Sequence, residues 1–148
     1  MKVHVLDANA LYRFLTGGSG ANIVNRLFKE ARDAKQPLRM SVVNWGEVYY
    51  TIAKAEGFTE TARIMDQVKL LPLVVLDADE IVTAQAARFK AGHGLPYADC
   101  FAAATTSKND VLVTSDAKDF RKVPGLQILP LPKHRTRNRP KLGTKNWP

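Results

Sequence analysis

The chain is poor in the residues that disulfide scaffolds, soft-metal sites and nucleophilic catalysis require. It has one cysteine, Cys100, in 148 residues, so no intrachain disulfide can form. That suits a reducing compartment. It has three histidines. His4 interrupts an apolar strand, His93 lies in a glycine-flanked loop, and His134 lies in the C-terminal tail; none is placed for catalysis. No apolar run approaches the roughly 20 residues needed to cross a bilayer. His4 and Asp7 break any signal-peptide core after Lys2, so the chain is expected in the cytosol, away from membranes. Gly17, Gly18 and Gly20 are followed by no Gly-Lys-Ser/Thr, which excludes a phosphate-binding nucleotide loop and leaves an interhelix linker. The last sixteen residues contain no acid.

What is present suits one globular domain. An apolar share of 45% with 24% charged residues is enough for a core and too apolar for a disordered chain. Of the 22 Lys and Arg, six lie in the tail: Lys133, Arg135, Arg137, Arg139, Lys141 and Lys145. The other 16 face 14 acids, so the tail supplies most of the net charge of +8. With Pro132, Pro140 and Pro148 it cannot build a core. It is either a solvated extension or an arm attracted to phosphate backbones, and the two are compatible. The division is therefore residues 1–132 as the folded domain and 133–148 as a basic tail.

Strand and helix patterns alternate along the body. Strands are expected at 2–6, 38–43, 71–76, 111–114 and 126–131. Helices are expected at 8–15, 22–34, 44–55 (capped by Asn44), 59–70 (capped by Thr59), from Asp77 or Asp79 to Gly92, and from Pro96 to Lys108. Pro72 must stand near the start of its strand or on an edge. This alternation predicts a three-layer α/β/α sandwich with a mostly parallel central sheet. Leu11, Phe14, Leu27 and Met65 are core candidates that could instead line a partner groove.

Ligands bind beyond the carboxyl ends of parallel strands, and four acids belong there: Asp7, Glu47, Asp99 and Asp116. Singly, three have structural explanations. Asp7 could cap a helix, Glu47 stands three residues after Asn44 as in a capping box, and Asp116 could seat a turn. Asp99 is different, because it is flanked by Tyr97, Ala98 and the run Cys100-Phe101-Ala102-Ala103-Ala104. A helix dipole contributes only about 0.3–1 kcal/mol to such a carboxylate, less than its desolvation costs. Together the four could hold Mg²⁺ or Mn²⁺, leaving positions for water and a substrate phosphate.

Val5-Leu6-Asp7-Ala8-Asn9, Asn44-Trp45-Gly46-Glu47-Val48, Leu95-Pro96-Tyr97-Ala98-Asp99-Cys100-Phe101 and Leu112-Val113-Thr114-Ser115-Asp116, with Asp119-Phe120, occur in that order. Over residues 1–131 this series resembles the PIN domain, and within it the VapC-type toxins of toxin–antitoxin pairs. The resemblance implies a metal-dependent endoribonuclease that leaves 5′-phosphate and 3′-hydroxyl ends. It also implies homodimers and a small cognate antitoxin. By position it makes Asp7, Glu47, Asp99 and Asp116 the metal-binding and catalytic acids, with Mg²⁺ or Mn²⁺ as cofactor. Asn9 is then a supporting donor, Thr114 and Ser115 orient Asp116 through their hydroxyls, and Asp119 is an outer acid or a solvent-facing turn residue. Lys133, Arg135, Arg137 and Arg139 are candidates for RNA contact, although the tail is not part of the family pattern.

Three alternatives stay open at this level. A phosphatase of the haloacid dehalogenase type would use Asp7 as nucleophile, but needs an acid where Asn9 stands. A receiver-like domain would accept phosphate on Asp77, and leaves Glu47 and Asp99 without a role. A non-catalytic RNA-binding module would suit the tail, but four acids repel phosphate unless a cation intervenes.

Overall fold

A computed structural model describes residues 2–133. Arg135, Arg137, Arg139, His134 and the rest of the tail beyond Lys133 lie outside the described residues. The strands are β1 (His4–Leu6), β2 (Leu38–Ser41), β3 (Leu73–Leu76), β4 (Val111–Thr114) and β5 (Ile128–Pro130). They form one sheet in the order β3-β2-β1-β4-β5. Every pairing is parallel, with Val5 opposite both Arg39 and Leu112 and Thr114 opposite Pro130.

Side chains alternate across the pleat and feed two cores. Leu6, Met40 and Val113 point to one face, where α1 (Ala8–Thr16), α2 (Ala21–Asp33), α3 (Val42–Glu56) and α4 (Phe58–Val68) bury Leu11, Phe28, Ile52 and Met65. Val5 and Leu112 point to the other, with α5 (Glu80–His93), α6 (Tyr97–Thr105) and the short α7 (Ala117–Phe120) contributing Ala86, Phe101 and Phe120. This is the expected three-layer sandwich, and its sheet is parallel throughout. Leu11, Phe14, Leu27 and Met65 are all core. Among the described residues no helix is long and apolar enough to cross a membrane.

The boundaries differ from expectation where local chemistry decides them. The second strand stops at Ser41, whose hydroxyl accepts the Val43 N–H at 3.2 Å and caps α3. Val42 and Val43, β-branched and strand-like in sequence, form the first turn of that helix. Asn44 is therefore inside α3 and is not its cap. Thr59 does not cap α4 either, because Gly57, at φ 83°, closes α3 and opens α4 directly. Asp79 caps α5 through the Val82 N–H at 2.8 Å, and that helix runs on to His93 with Gly94 as its left-handed stop. Helix α6 ends at Thr105, where Thr106 turns extended, and α7 was not foreseen. Pro72 precedes edge strand β3, where it offers only its carbonyl, to the Leu38 N–H at 2.9 Å.

Candidate active site

The parallel sheet delivers four acids to one edge, each by its own local device. Asp7 follows β1 and caps α1, its Oδ1 accepting the Ala10 N–H at 2.8 Å. Its own N–H reaches Val113 O on β4. Asp116 follows β4 and opens α7, with its N–H donated to Thr114 Oγ1 at 2.9 Å. Glu47 occupies the second turn of α3, which leaves the same edge after β2. Asp99 occupies the first turn of α6, which runs back against the strands and so starts at that edge.

The electrostatics show that these carboxylates share a neighbourhood. Asp7 is 3% exposed. Burial pushes its carboxyl up to about 7, against the pull of hydrogen bonds from Thr114 and Ala10, and the charges of Asp99 and Asp116 add to the rise. Asp99 is only partly buried, and its carboxyl is raised to about 6 by burial and then by Glu47, Asp116 and Asp119. None of the four acids takes part in the ion pairs Arg26–Glu30, Arg39–Asp110, Arg63–Glu60 and Lys122–Asp119, the last of which lies at the margin of the cluster. Asp110 is instructive by contrast. It is an equally buried acid at the opposite edge, but it accepts the Val3 N–H and faces Arg39 at 3.6 Å.

The supporting residues are wired differently from the sequence expectation. Thr114 bonds the Asp7 carboxyl and the Asp116 main chain, so it ties two of the acids together. Ser115 is buried and takes its hydrogen bond from Asn9 Nδ2. Asp119 pairs with Lys122 at 3.8 Å while still repelling Asp99. The apolar setting of Asp99 suggested that it was the most enclosed acid; Asp7 is. Asn44 was missed as a site residue. It is 0% exposed, and its Nδ2 reaches Glu47 Oε1 at 2.9 Å and Ala98 O at 3.0 Å. The spacing of three to Glu47 was the available signal, and it was read as a capping box.

His4 and His93 stand apart from the four acids. The charges acting on His4 are those of Glu30, Lys2 and Asp110, and the His93 ring lies against Phe89. Cys100 is buried, which pushes its thiol up and away from reactivity. Lys133 is exposed, and Asp77 is an exposed residue after edge strand β3.

The donor set is all oxygen, and its one buried member, Asp7, has no cationic partner among the ion pairs above, which suits a hard divalent cation. As placed, no three carboxylates, imidazoles or thiols among the described residues surround a point where an ion could sit. Glu47, Asp99 and Asp116 are partly exposed, in contrast to Asp7.

Fold and site define a parallel α/β protein with an acidic centre at the carboxyl edge of its sheet. The PIN domain family model matches residues 4–126, and the chain belongs to that family. No curated protein matches it. Among solved structures it is similar to a chain of VapBC2 from Rickettsia felis, bound to a DNA fragment from their promoter. Identity there is 19%, the TM-score is 0.66, and the match covers 87% of this chain and 98% of that one. DNA-bound VapBC from Salmonella typhimurium gives 21%, 0.66, 88% and 98% in the same order. FitAcB from Neisseria gonorrhoeae gives 18%, 0.62, 86% and 96%.

Proposed function

We propose that this chain is a divalent-metal-dependent endoribonuclease, the toxin of a VapC-type toxin–antitoxin pair. The observation that carries the reading is the crowding of carboxylates: buried Asp7 is repelled by Asp99 and Asp116, and half-buried Asp99 by Glu47, Asp116 and Asp119, while none of Asp7, Glu47, Asp99 and Asp116 takes part in the ion pairs described above. Such a cluster is costly unless a cation joins it. Asp7, Glu47, Asp99 and Asp116 are the groups that would hold it. When bound, Mg²⁺ or Mn²⁺ offsets charge on the attacked phosphodiester and makes water more acidic. Asp7, fixed by Ala10 and Thr114, supplies the rigid anchor. One of the four carboxylates would accept the proton of the attacking water at an oxygen not engaged by the cation. Asn9 and Ser115 brace the loop that presents Asp116.

RNA as substrate rests on the family resemblance and on the basic tail, in which Lys133, Arg135, Arg137 and Arg139 contact the phosphate backbone. The antitoxin partner is supported by the similar fold found in a toxin–antitoxin complex from Klebsiella pneumoniae. Tyr50, Phe58, Leu70, Ile81 and Tyr97 are exposed apolar side chains that could serve contacts with an antitoxin or with a second copy in a homodimer. A phosphoenzyme is disfavoured because Asn9, where a phosphatase needs its second acid, is committed to Ser115.

The test is cleavage of a labelled RNA pool by purified protein with Mg²⁺, with Mn²⁺ and with chelator, mapping new 5′-phosphate ends. Asp99→Asn should lose at least a hundredfold of the metal-stimulated rate with an unchanged circular dichroism spectrum. Near-normal cleavage by that variant, or acyl phosphate on Asp7, sinks the reading. RNA binding with no cleavage under any metal would leave a non-catalytic module.

A further inference from the structure

Asn44 is completely buried in the first turn of α3. Its Nδ2 donates one hydrogen bond along its own helix to Glu47 Oε1 at 2.9 Å and another across to Ala98 O of α6 at 3.0 Å. A carboxylate oxygen and a main-chain carbonyl only accept, so the amide can face them in one orientation alone. Its Oδ1 has no partner. A leucine would fill a similar space without stranding an acceptor in the core, and so would serve packing better. What only the amide offers is two donors aimed at two acid-bearing helices. Ala98 immediately precedes Asp99, so one side chain joins the Glu47 carboxylate to the backbone that carries Asp99.

We infer that Asn44 is a positioning residue: a clip between α3 and α6 that sets the Glu47 carboxylate against Asp99. The inference rests on the proposed cation-binding reading. By holding Oε1, Asn44 restricts the rotation of Glu47 and leaves Oε2 as the oxygen free to turn into the site. By holding Ala98 O, it keeps α6 at a fixed height on α3. Such supporting hydrogen bonds govern how well carboxylates close on a metal. Asn44 touches neither substrate nor the reacting atoms in this role.

The test compares the full chain with Asn44→Leu, which removes both donors, and Asn44→Thr, which keeps one. Calorimetric titration with Mn²⁺ alone, without RNA, should show about a 10- to 100-fold weaker affinity for Asn44→Leu and an intermediate loss for Asn44→Thr. Thermal melting without metal should show Asn44→Leu no less stable than the wild type, separating position from packing. In cleavage at saturating Mn²⁺, kcat should fall while KM for RNA stays within about twofold. Mn²⁺ affinity within twofold of wild type in a folded Asn44→Leu chain overturns the inference. If Asn44→Leu fails to fold, Asn44→Thr decides on the same readouts. Crystal structures of metal-free wild type and Asn44→Thr keep the question separate from the nuclease assignment. A changed Glu47–Asp99 spacing supports the clip, and an unchanged one overturns it, even if the wild type proves to bind no metal.

Discussion

Asp7 has lost nearly all its water, and its two hydrogen bonds do not make up for it. Its carboxyl rises from 3.8 to about 7. The folded chain therefore keeps a proton that the unfolded chain releases between about pH 4 and pH 7, and unfolding is favoured as pH climbs through that window. Stability from this residue is complete below pH 4 and gone above about pH 7. Asn at position 7 keeps the acceptor for Ala10 and carries no charge. Asp7→Asn should match the wild type near pH 4 and exceed it by on the order of 2–4 kcal/mol at pH 8 without metal. Saturating Mn²⁺ should shrink or reverse that difference. Denaturant melts of both proteins across pH 4–8 provide the measurement, and a pH-independent difference would refute this account of Asp7. The acids themselves were legible in the sequence, because each follows a strand or opens a helix. Their ranking was not. Asp7 is enclosed by Val113, Thr114 and the first turn of α1, and pairings between residues so far apart leave no trace in local pattern. The same holds for Thr114, whose hydroxyl serves two acids, and for Asn44, whose second acceptor lies 54 residues away.

The elements that carry the site are short, and their ends matter more than their middles. Helix α2 begins at Gly20, at φ 88°. A Cβ there would stand 3.1 Å from Leu131 Cβ and 3.3 Å from Pro132 Cδ. Backbone conformation and packing both demand glycine, since the last described segment of the chain crosses over this turn. Gly20→Ala should cost about 1–3 kcal/mol, whereas Gly46→Ala, in open space within α3, should be neutral or stabilising by up to about 1 kcal/mol. Chemical denaturation of the two variants checks the contrast; equal effects would mean that the crossing is not tight. At this scale strand–helix alternation was readable throughout, because parallel strands are apolar runs and helices show their period. The ends were read less well. Val42 and Val43 carry strand propensity, but the Ser41 cap and the packing of Val48 and Ile52 beneath α3 outweigh it. Helix α7, a single turn, is too short to show any period.

At the scale of the molecule, charge is divided between an acidic edge of the sheet and a tail that is basic in sequence. Strand β5 runs parallel to β4, so the chain leaves the sheet at the edge where β1 and β4 deliver Asp7 and Asp116. Leu131 is buried with its N–H on Thr114 O at 2.7 Å, and the Arg13 guanidinium bonds Pro132 O. Lys133 thus follows a segment tied to Arg13 and the Gly20 turn, and five more Lys or Arg follow it in sequence with no intervening acid. Replacing the six Lys and Arg of residues 133–148 by Gln should weaken RNA binding and flatten its salt dependence. Each phosphate contact to a single strand contributes about 0.7 to the slope of log K against log salt, so losing the contacts of Lys133, Arg135, Arg137 and Arg139 reduces it by about 3. The measurement is binding by a catalytically silent Asp99→Asn chain, with and without the six replacements, from low to physiological salt. An unchanged slope would show that the tail does not touch phosphate. A reduced slope with unaltered cleavage of a very short RNA would place the tail in capture of the strand and leave the acid cluster alone responsible for the chemistry.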